Sequence, residues 1–212
     1  QCDPSINSCY KIKSEIRVAY YHPSSKKIRR IYGEGWADYQ LELSKKFKGF
    51  WNVFEDGGCC CLNNVESSIW MGVSGFSKNG ASIGFHNKTN LQLVPINFGA
   101  KIFYPIFSNM KIYIGGAACY SLLRIHDHSE YVHEHTKKEN WGALFQSGLT
   151  YEYCNRITFS AFFDYYFQEF DFHGDRYNCS SKSGSYQEKS VIVRSNMDMS
   201  GFKLGVGFGF LF

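Results

Sequence analysis

Four of the seven histidines in this sequence fall in two short tripeptides, His126-Asp127-His128 and His133-Glu134-His135. Each alternates imidazole with carboxylate, the period of an extended strand. If the flanking strands run on into a hairpin with a four-residue tip at 129–132, His128 stands opposite His133 and His126 opposite His135. Directly opposed residues share a face, so four imidazoles would project from one side. With Asp127, Glu130 and Glu134 nearby, that set suits Zn or Cu. A solvated, acidic, histidine-rich loop is the competing reading.

Other residues offer weaker chemistry. His22 beside Ser24 and Ser25, or His173 beside Asp171 and Asp175, supplies the components of a lipid-modifying hydrolase or acyltransferase. No distinctive motif joins them, so no catalytic residue is assigned and the chain is expected not to be an enzyme. The basic run Lys26-Lys27-Ile28-Arg29-Arg30 could meet lipid phosphates through charge-assisted bonds, or form an ordinary solvated loop.

The 212 residues carry 23 Lys and Arg against 19 Asp and Glu, a net charge of +4, with no basic cluster on a periodic element, which argues against nucleic acid as a partner. Aromatics make up 18%, with 20 Gly and only 4 Pro, a composition that excludes disorder and coiled coils. No apolar run reaches the roughly 18 to 20 residues of a membrane helix. Membrane strands remain open, because they need only about 9 to 11 residues and place their apolar side chains at every second position.

That pattern recurs along the chain. In the last segment Phe202, Leu204, Val206, Phe208, Phe210 and Phe212 alternate with Lys203, Gly205, Gly207 and Gly209. The same parity appears at 15–21, 37–44, 69–74, 96–102, 112–120, 143–152 and 157–168, making eight strands. Short breaks at 107–109 and 154–156 require antiparallel neighbours. Longer polar connections at 22–35, 77–90, 124–140 and 171–197 belong to the opposite rim. Pro95 is awkward in a paired strand, so the fourth strand is expected to begin after it or to bulge there.

One face of these strands is apolar and aromatic. The other gathers Arg17, Lys101 and Lys203 with Asp38, Glu42, Glu152 and Asp164. Facing hydrocarbon, a midplane Lys or Arg costs roughly 2 to 4 kcal/mol. Inside a narrow tube, cations and anions neutralise one another. The charges are therefore assigned to the lumen, and Tyr20, Trp36, Tyr104, Trp141 and Tyr165 to interfacial girdles. The glycines at 205, 207 and 209 either make room for Tyr21, Trp70 or Phe103 or line a narrow conduit.

The ending Ser200-Gly201-Phe202-Lys203-Leu204-Gly205-Val206-Gly207-Phe208-Gly209-Phe210-Leu211-Phe212 resembles the signal by which the barrel assembly machinery recognises Gram-negative outer-membrane proteins. In it Phe202, Phe208, Phe210 and Phe212 carry the resemblance. Strand count and loop asymmetry over essentially the whole chain resemble the small eight-stranded outer-membrane barrels, the class of the OmpA-like transmembrane domain and OmpW-like proteins. The resemblance implies an all-β, up-and-down antiparallel transmembrane barrel in the bacterial outer membrane, both termini periplasmic, in contact with the lipid bilayer and lipopolysaccharide. It says nothing about activity.

The expected organisation is a periplasmic segment at 1–14, a barrel at 15–212 and a periplasmic insertion at 45–67. Eight cysteines without zinc-ribbon spacing suggest an oxidising compartment and an exported chain whose signal peptide has been removed. Cys2, Cys9, Cys59, Cys60, Cys61 and Cys154 gather at the periplasmic rim as candidates for disulfide cross-links, whereas Cys119 points into the lumen. An eight-stranded lumen is filled by side chains. The function expected is therefore a plugged barrel with a structural or surface-interaction role. A narrow small-solute channel is the alternative, and a lipid A-modifying enzyme ranks behind both.

Overall fold

The structure is a computed structural model that describes residues 12–47, 65–81, 88–128, 133–154, 156–178 and 189–212. At 81, 88, 127–128, 133–134, 173–178 and 189–195 it describes the backbone. The strands are β1 (Ile12–Pro23), β2 (Trp36–Phe47), β3 (Glu66–Ala81), β4 (Lys88–Phe107), β5 (Met110–His128), β6 (His133–Tyr153), β7 (Ile157–Phe167), β8 (Glu169–Asn178), β9 (Lys189–Asp198) and β10 (Gly201–Leu211), with one helix, α1 (Lys26–Tyr32). Eight strands close an antiparallel barrel in the order β1-β10-β7-β6-β5-β4-β3-β2, and β8 and β9 form a separate two-stranded sheet. Closure pairs the first strand with the last, Ile16 opposite Phe208 and Val18 opposite Val206.

Period-two patterning is what makes these segments strands. Along β2 buried and exposed residues alternate without a break from Trp36 to Lys45. Inward positions hold polar groups and rings, while outward ones hold Ile16, Leu41, Met71, Phe98, Ile114, Phe145, Phe163 and Val206, all well exposed. In water that surface would be strongly unfavourable, and in lipid it is the expected exterior. On β4 the outward apolar run extends from Val94 to Ile106. About 12 steps of roughly 3.4 Å, tilted by about 40°, span roughly 30 Å, the thickness of a bilayer's hydrocarbon.

The near rim holds Ile12 and Phe212, whose backbones exchange hydrogen bonds. Its turns fall where the breaks in alternation place them, Ser108-Asn109 between β4 and β5 and 154–156 between β6 and β7. β1 opens at Ile12, so residues 12–14, assigned above to a preceding segment, are strand. Likewise β2 continues to Phe47 and β3 starts at Glu66, narrowing the connection between them to 48–65. Residues 1–11 and 48–64, with Cys2, Cys9 and Cys59 to Cys61, lie outside the described residues.

The far rim departs most from a scheme of bare loops. β3 with β4, and β5 with β6, continue as paired strands well past the apolar belt, to Ala81 opposite Lys88 and His128 opposite His133. In place of a bare connection at 171–197, β8 and β9 pair with each other from Glu169 opposite Asp198 to Asn178 opposite Lys189. Lys26–Tyr32 is helical because its residues are largely good helix formers and Ile28 and Tyr32, one turn apart, bury one apolar face. Gly33, at φ 80°, ends the helix and donates its N–H to the Arg29 carbonyl at 2.8 Å.

Two expectations about single residues are corrected. Pro95 lies inside β4 without shifting its register. The β3 ladder omits the two pairs at 94 and 95 opposite 75 and 74, so the missing N–H is accommodated by a local gap in pairing. Trp36 is no girdle residue. At 2% exposed it points inward, on the same parity as Asp38 and Gln40, and donates its indole N–H to the Gly33 carbonyl at 3.1 Å.

Candidate functional site

The bore is filled from rim to rim by two kinds of material. From the near rim to mid-height it holds charge. Lys46 and Lys111 alternate with Glu66 and Glu152, Lys111 lying 2.8 Å from Glu66 and 3.3 Å from Glu152. Above them Lys13 pairs with Glu15 at 2.5 Å, and Ser160 donates to the same carboxylate.

Arg17 is the hub of the next level. Its guanidinium lies 3.4 Å from Glu42 and 3.3 Å from Asp164, donates to the Tyr113 hydroxyl at 3.1 Å, and sits 3.5 Å from the ring centre of Phe162. Lys101 donates to Glu42 and lies 4.6 Å over Trp70. Higher still, Lys203 pairs with Asp38 at 2.8 Å, between Tyr21 and Tyr166. Among the described residues the bore thus brings together six cations (Lys13, Arg17, Lys46, Lys101, Lys111, Lys203) and six anions (Glu15, Asp38, Glu42, Glu66, Glu152, Asp164). Matched charges are the condition for holding ions in a dry interior, where an unpaired one costs several kcal/mol.

Toward the far rim the filling becomes apolar. Tyr21, Trp36 and Phe76 pack ring on ring, with centroids 5.0 to 5.5 Å apart, each such pair adding about 0.5 to 1.5 kcal/mol beyond its buried area. Leu91, Leu93, Leu123, Ile125, Phe170 and Met199 extend this core beyond the belt, and Ile28 and Tyr32 of α1 belong to it. The helix therefore stoppers the far end. The basic run within it is split: Ile28 is buried, Lys26, Lys27 and Arg30 face solvent, and Arg29 turns back to His22 at 3.1 Å and to the Pro23 carbonyl at 3.0 Å.

Gly205, Gly207 and Gly209 make room for bulk, though not for the rings expected. A Cβ on Gly205 would lie 2.6 Å from Phe162 and 2.3 Å from the Val18 carbonyl, and one on Gly207 would meet Glu15 and Ser160. Side chains thus occupy the space that a conduit past Gly205 and Gly207 would need.

No protein-family model matches the chain, and no curated protein matches it by sequence. Solved structures do match along nearly its whole length. A major outer membrane protein from Thermus thermophilus covers 97% of this chain and 100% of its own at a TM-score of 0.54 and 12% identity. The outer membrane protein OprG from Pseudomonas aeruginosa covers 95% of each chain at a TM-score of 0.51 and 14% identity. Neisserial surface protein A covers 97% of this chain and 98% of its own at 0.47 and 15%.

The fold is that of the small outer-membrane β-barrels. At such identities the likeness concerns fold alone, so site residues rest on geometry. In this outer-membrane barrel fold Phe208, Phe210 and Phe212 face outward, with Phe202 partly covered and stacked on Phe163 and His22. Cys119 is buried in the bore as a free thiol, and Cys154 lies in the near-rim turn at φ 49°. Among the described residues His22 meets no carboxylate: it contacts Arg29 and the rings of Tyr20 and Phe202, while Ser24 lies 3.4 Å from the Tyr165 hydroxyl. The side chains of His173 and Asp175 lie outside the described residues, as does Cys179.

The β5–β6 ribbon places His126 opposite His135 and His128 opposite His133. His126 and His135 touch, with Nδ1 atoms 2.6 Å apart, whereas the side chains of His128 and His133 lie outside the described residues. Sequence reading overlooked Lys13, Glu15, Lys46, Glu66 and Lys111 as members of the bore network. The signal was available, since Lys13 shares parity with Arg17, Lys46 with Glu42, and Lys111 with Tyr113. For Lys13, Lys46, Glu66 and Lys111 it was lost because strand ends were drawn where apolarity stopped; Glu15 lies inside the first strand as drawn, on the parity of Arg17.

Proposed function

We propose that this chain is a bacterial outer-membrane barrel with a plugged, non-conducting bore, both termini in the periplasm, and a structural or surface-interaction role carried by the region beyond its far rim. The observation that carries this reading is Arg17, held at once by Glu42, Asp164, Tyr113 and Phe162 from three other strands, in the path a solute would take through the middle of the bore. The stopper of α1 at the far end supports it further.

Contact with lipopolysaccharide is supported by position. Arg124 stands directly opposite Lys137, both exposed, one outward row beyond Leu122 and Glu139 and two beyond Tyr120 and Trp141. Opposed like charges are unfavourable unless an anion lies between them, and headgroup phosphates lie at that depth. Lys26, Lys27 and Arg30 add positive charge at the same rim. The outward phenylalanines of β10 and the terminal Phe212 support handling by the barrel assembly machinery. Catalysis is not part of this reading, because His22 faces a cation where a general base needs an acidic partner.

Single-channel recording in a planar bilayer tests the proposal. A plugged barrel gives no stable openings, and reproducible discrete conductance would replace this reading with the narrow channel. Lipid A recovered from cells with and without the protein should show the same acyl pattern by mass spectrometry.

A further inference from the structure

We propose that the outward face of the β5–β6 ribbon, beyond the apolar belt, binds a late first-row divalent metal ion, Zn2+ or Cu2+, through His126 and His135. Inward and outward positions alternate along β5, and buried Leu123 and Ile125 fix His126 on the outward face. Its cross-strand partner His135 is on the same face. The two rings are centred 4.5 Å apart at 81° to each other, with their Nδ1 atoms directed at one another at 2.6 Å.

Such a contact demands that one Nδ1 carry a proton and the other accept it. A metal ion can take the place of that proton. At Zn–N distances of about 2.0 to 2.1 Å and a tetrahedral angle, the nitrogens would stand about 3.3 Å apart, so the rings need to part by about 0.7 Å. Imidazole nitrogens are among the donors these ions favour.

A third donor lies in the same row. Asn90 pairs with His126 across the β4–β5 ladder. Its amide nitrogen donates to Asn79 at 2.6 Å, and its Oδ1, buried, has no hydrogen-bond partner among the described residues. The row Asn90, His126, His135 therefore offers two nitrogens and an oxygen on three adjacent strands, with water to complete the shell. One step further out, the register sets His128 opposite His133. Among the described residues no group of three or more His, Cys, Asp or Glu gathers around a single point, so the pair with its amide neighbour is the site.

Titration of the full-length protein in detergent micelles with Zn2+ alone, followed by calorimetry, should give one site per chain. The variant His126→Gln/His135→Gln, whose outward positions leave the barrel's filling untouched, should weaken binding by at least about tenfold, the lower end of what even outer-shell changes cost a metal site. Heat-modifiable gel migration establishes that this variant is folded. Cu2+ loaded at one equivalent should show nitrogen hyperfine structure by electron paramagnetic resonance in the wild type and lose it in the variant. Equal Zn2+ affinity in the two proteins overturns the proposal, as does binding abolished by His128→Gln/His133→Gln but unaffected by the first variant. Asn90→Ala should weaken binding without changing the nitrogen signature.

Discussion

Lys203 Nζ lies 2.8 Å from Asp38 Oδ2, joining β10 to β2 across the face of β1 that lies between them. Both side chains are almost fully buried, so neither can be released to water. Lys203→Met or Asp38→Leu alone should destabilise the barrel by about 3 to 5 kcal/mol, because each leaves one charge unpaired, whereas the double variant should recover most of the loss. Urea unfolding in lipid vesicles measures all three. Additive losses in the double variant would mean that the two residues are not energetically coupled.

The glycines of the bore and of the belt should differ sharply. Gly205→Ala brings a methyl within 2.3 Å of a backbone oxygen, which cannot retreat without moving the strand. Gly116→Ala meets only the Leu144 carbonyl, at 3.8 Å. We expect the first to lower stability by about 1 to 3 kcal/mol and to slow assembly. The second should be near neutral; refolding yield from urea into vesicles separates them.

The edge of the apolar belt on β4 falls between Gln92 and Val94. Arg in place of Phe98, 60% exposed in mid-belt, should cost about 2 to 4 kcal/mol, and Gln92→Arg only about 0 to 1. Equal costs at the two positions, measured in the same vesicles, would show that the hydrocarbon boundary lies elsewhere.

Ile28 is the side chain that seats α1 on the far-end core. Ile28→Asp should free the helix while leaving the eight-stranded barrel formed, since the ladders do not pass through it. Trypsin should then cut after Lys26, Lys27 or Arg30 in the variant and leave the wild type whole under the same conditions. Planar-bilayer records of this variant should stay silent, because the ion pairs of the bore remain below the missing stopper.

Eight-fold alternation, and the conflict between an aromatic face and a charged one, were legible from residue order alone, because side-chain direction in a strand depends only on parity. The turns at 108–109 and 154–156 and the facing of His126 to His135 followed from the same rule plus a loop length. What parity could not supply was where strands stop. Beyond the belt, outward residues turn polar while inward ones stay apolar, so β3 to β6 read as loops from Ser77 or Arg124 onward although their pairing continues. Trp36 was misplaced for a related reason: its nearness to a segment end suggested an interface, and only its parity with Asp38 told otherwise.

Residue order by itself determined eight alternating strands, a local consequence of the backbone's two-residue repeat, and, through the cost of charge in hydrocarbon, which side of each meets lipid. Which charges neutralise which was decided by tertiary structure alone. Arg17, Glu42 and Asp164 lie on three different strands, and their meeting depends on the shear and closure of the sheet. The seating of Ile28 over the far end and the contact of one imidazole with another are of the same kind, because they depend on distances that no spacing along the chain encodes.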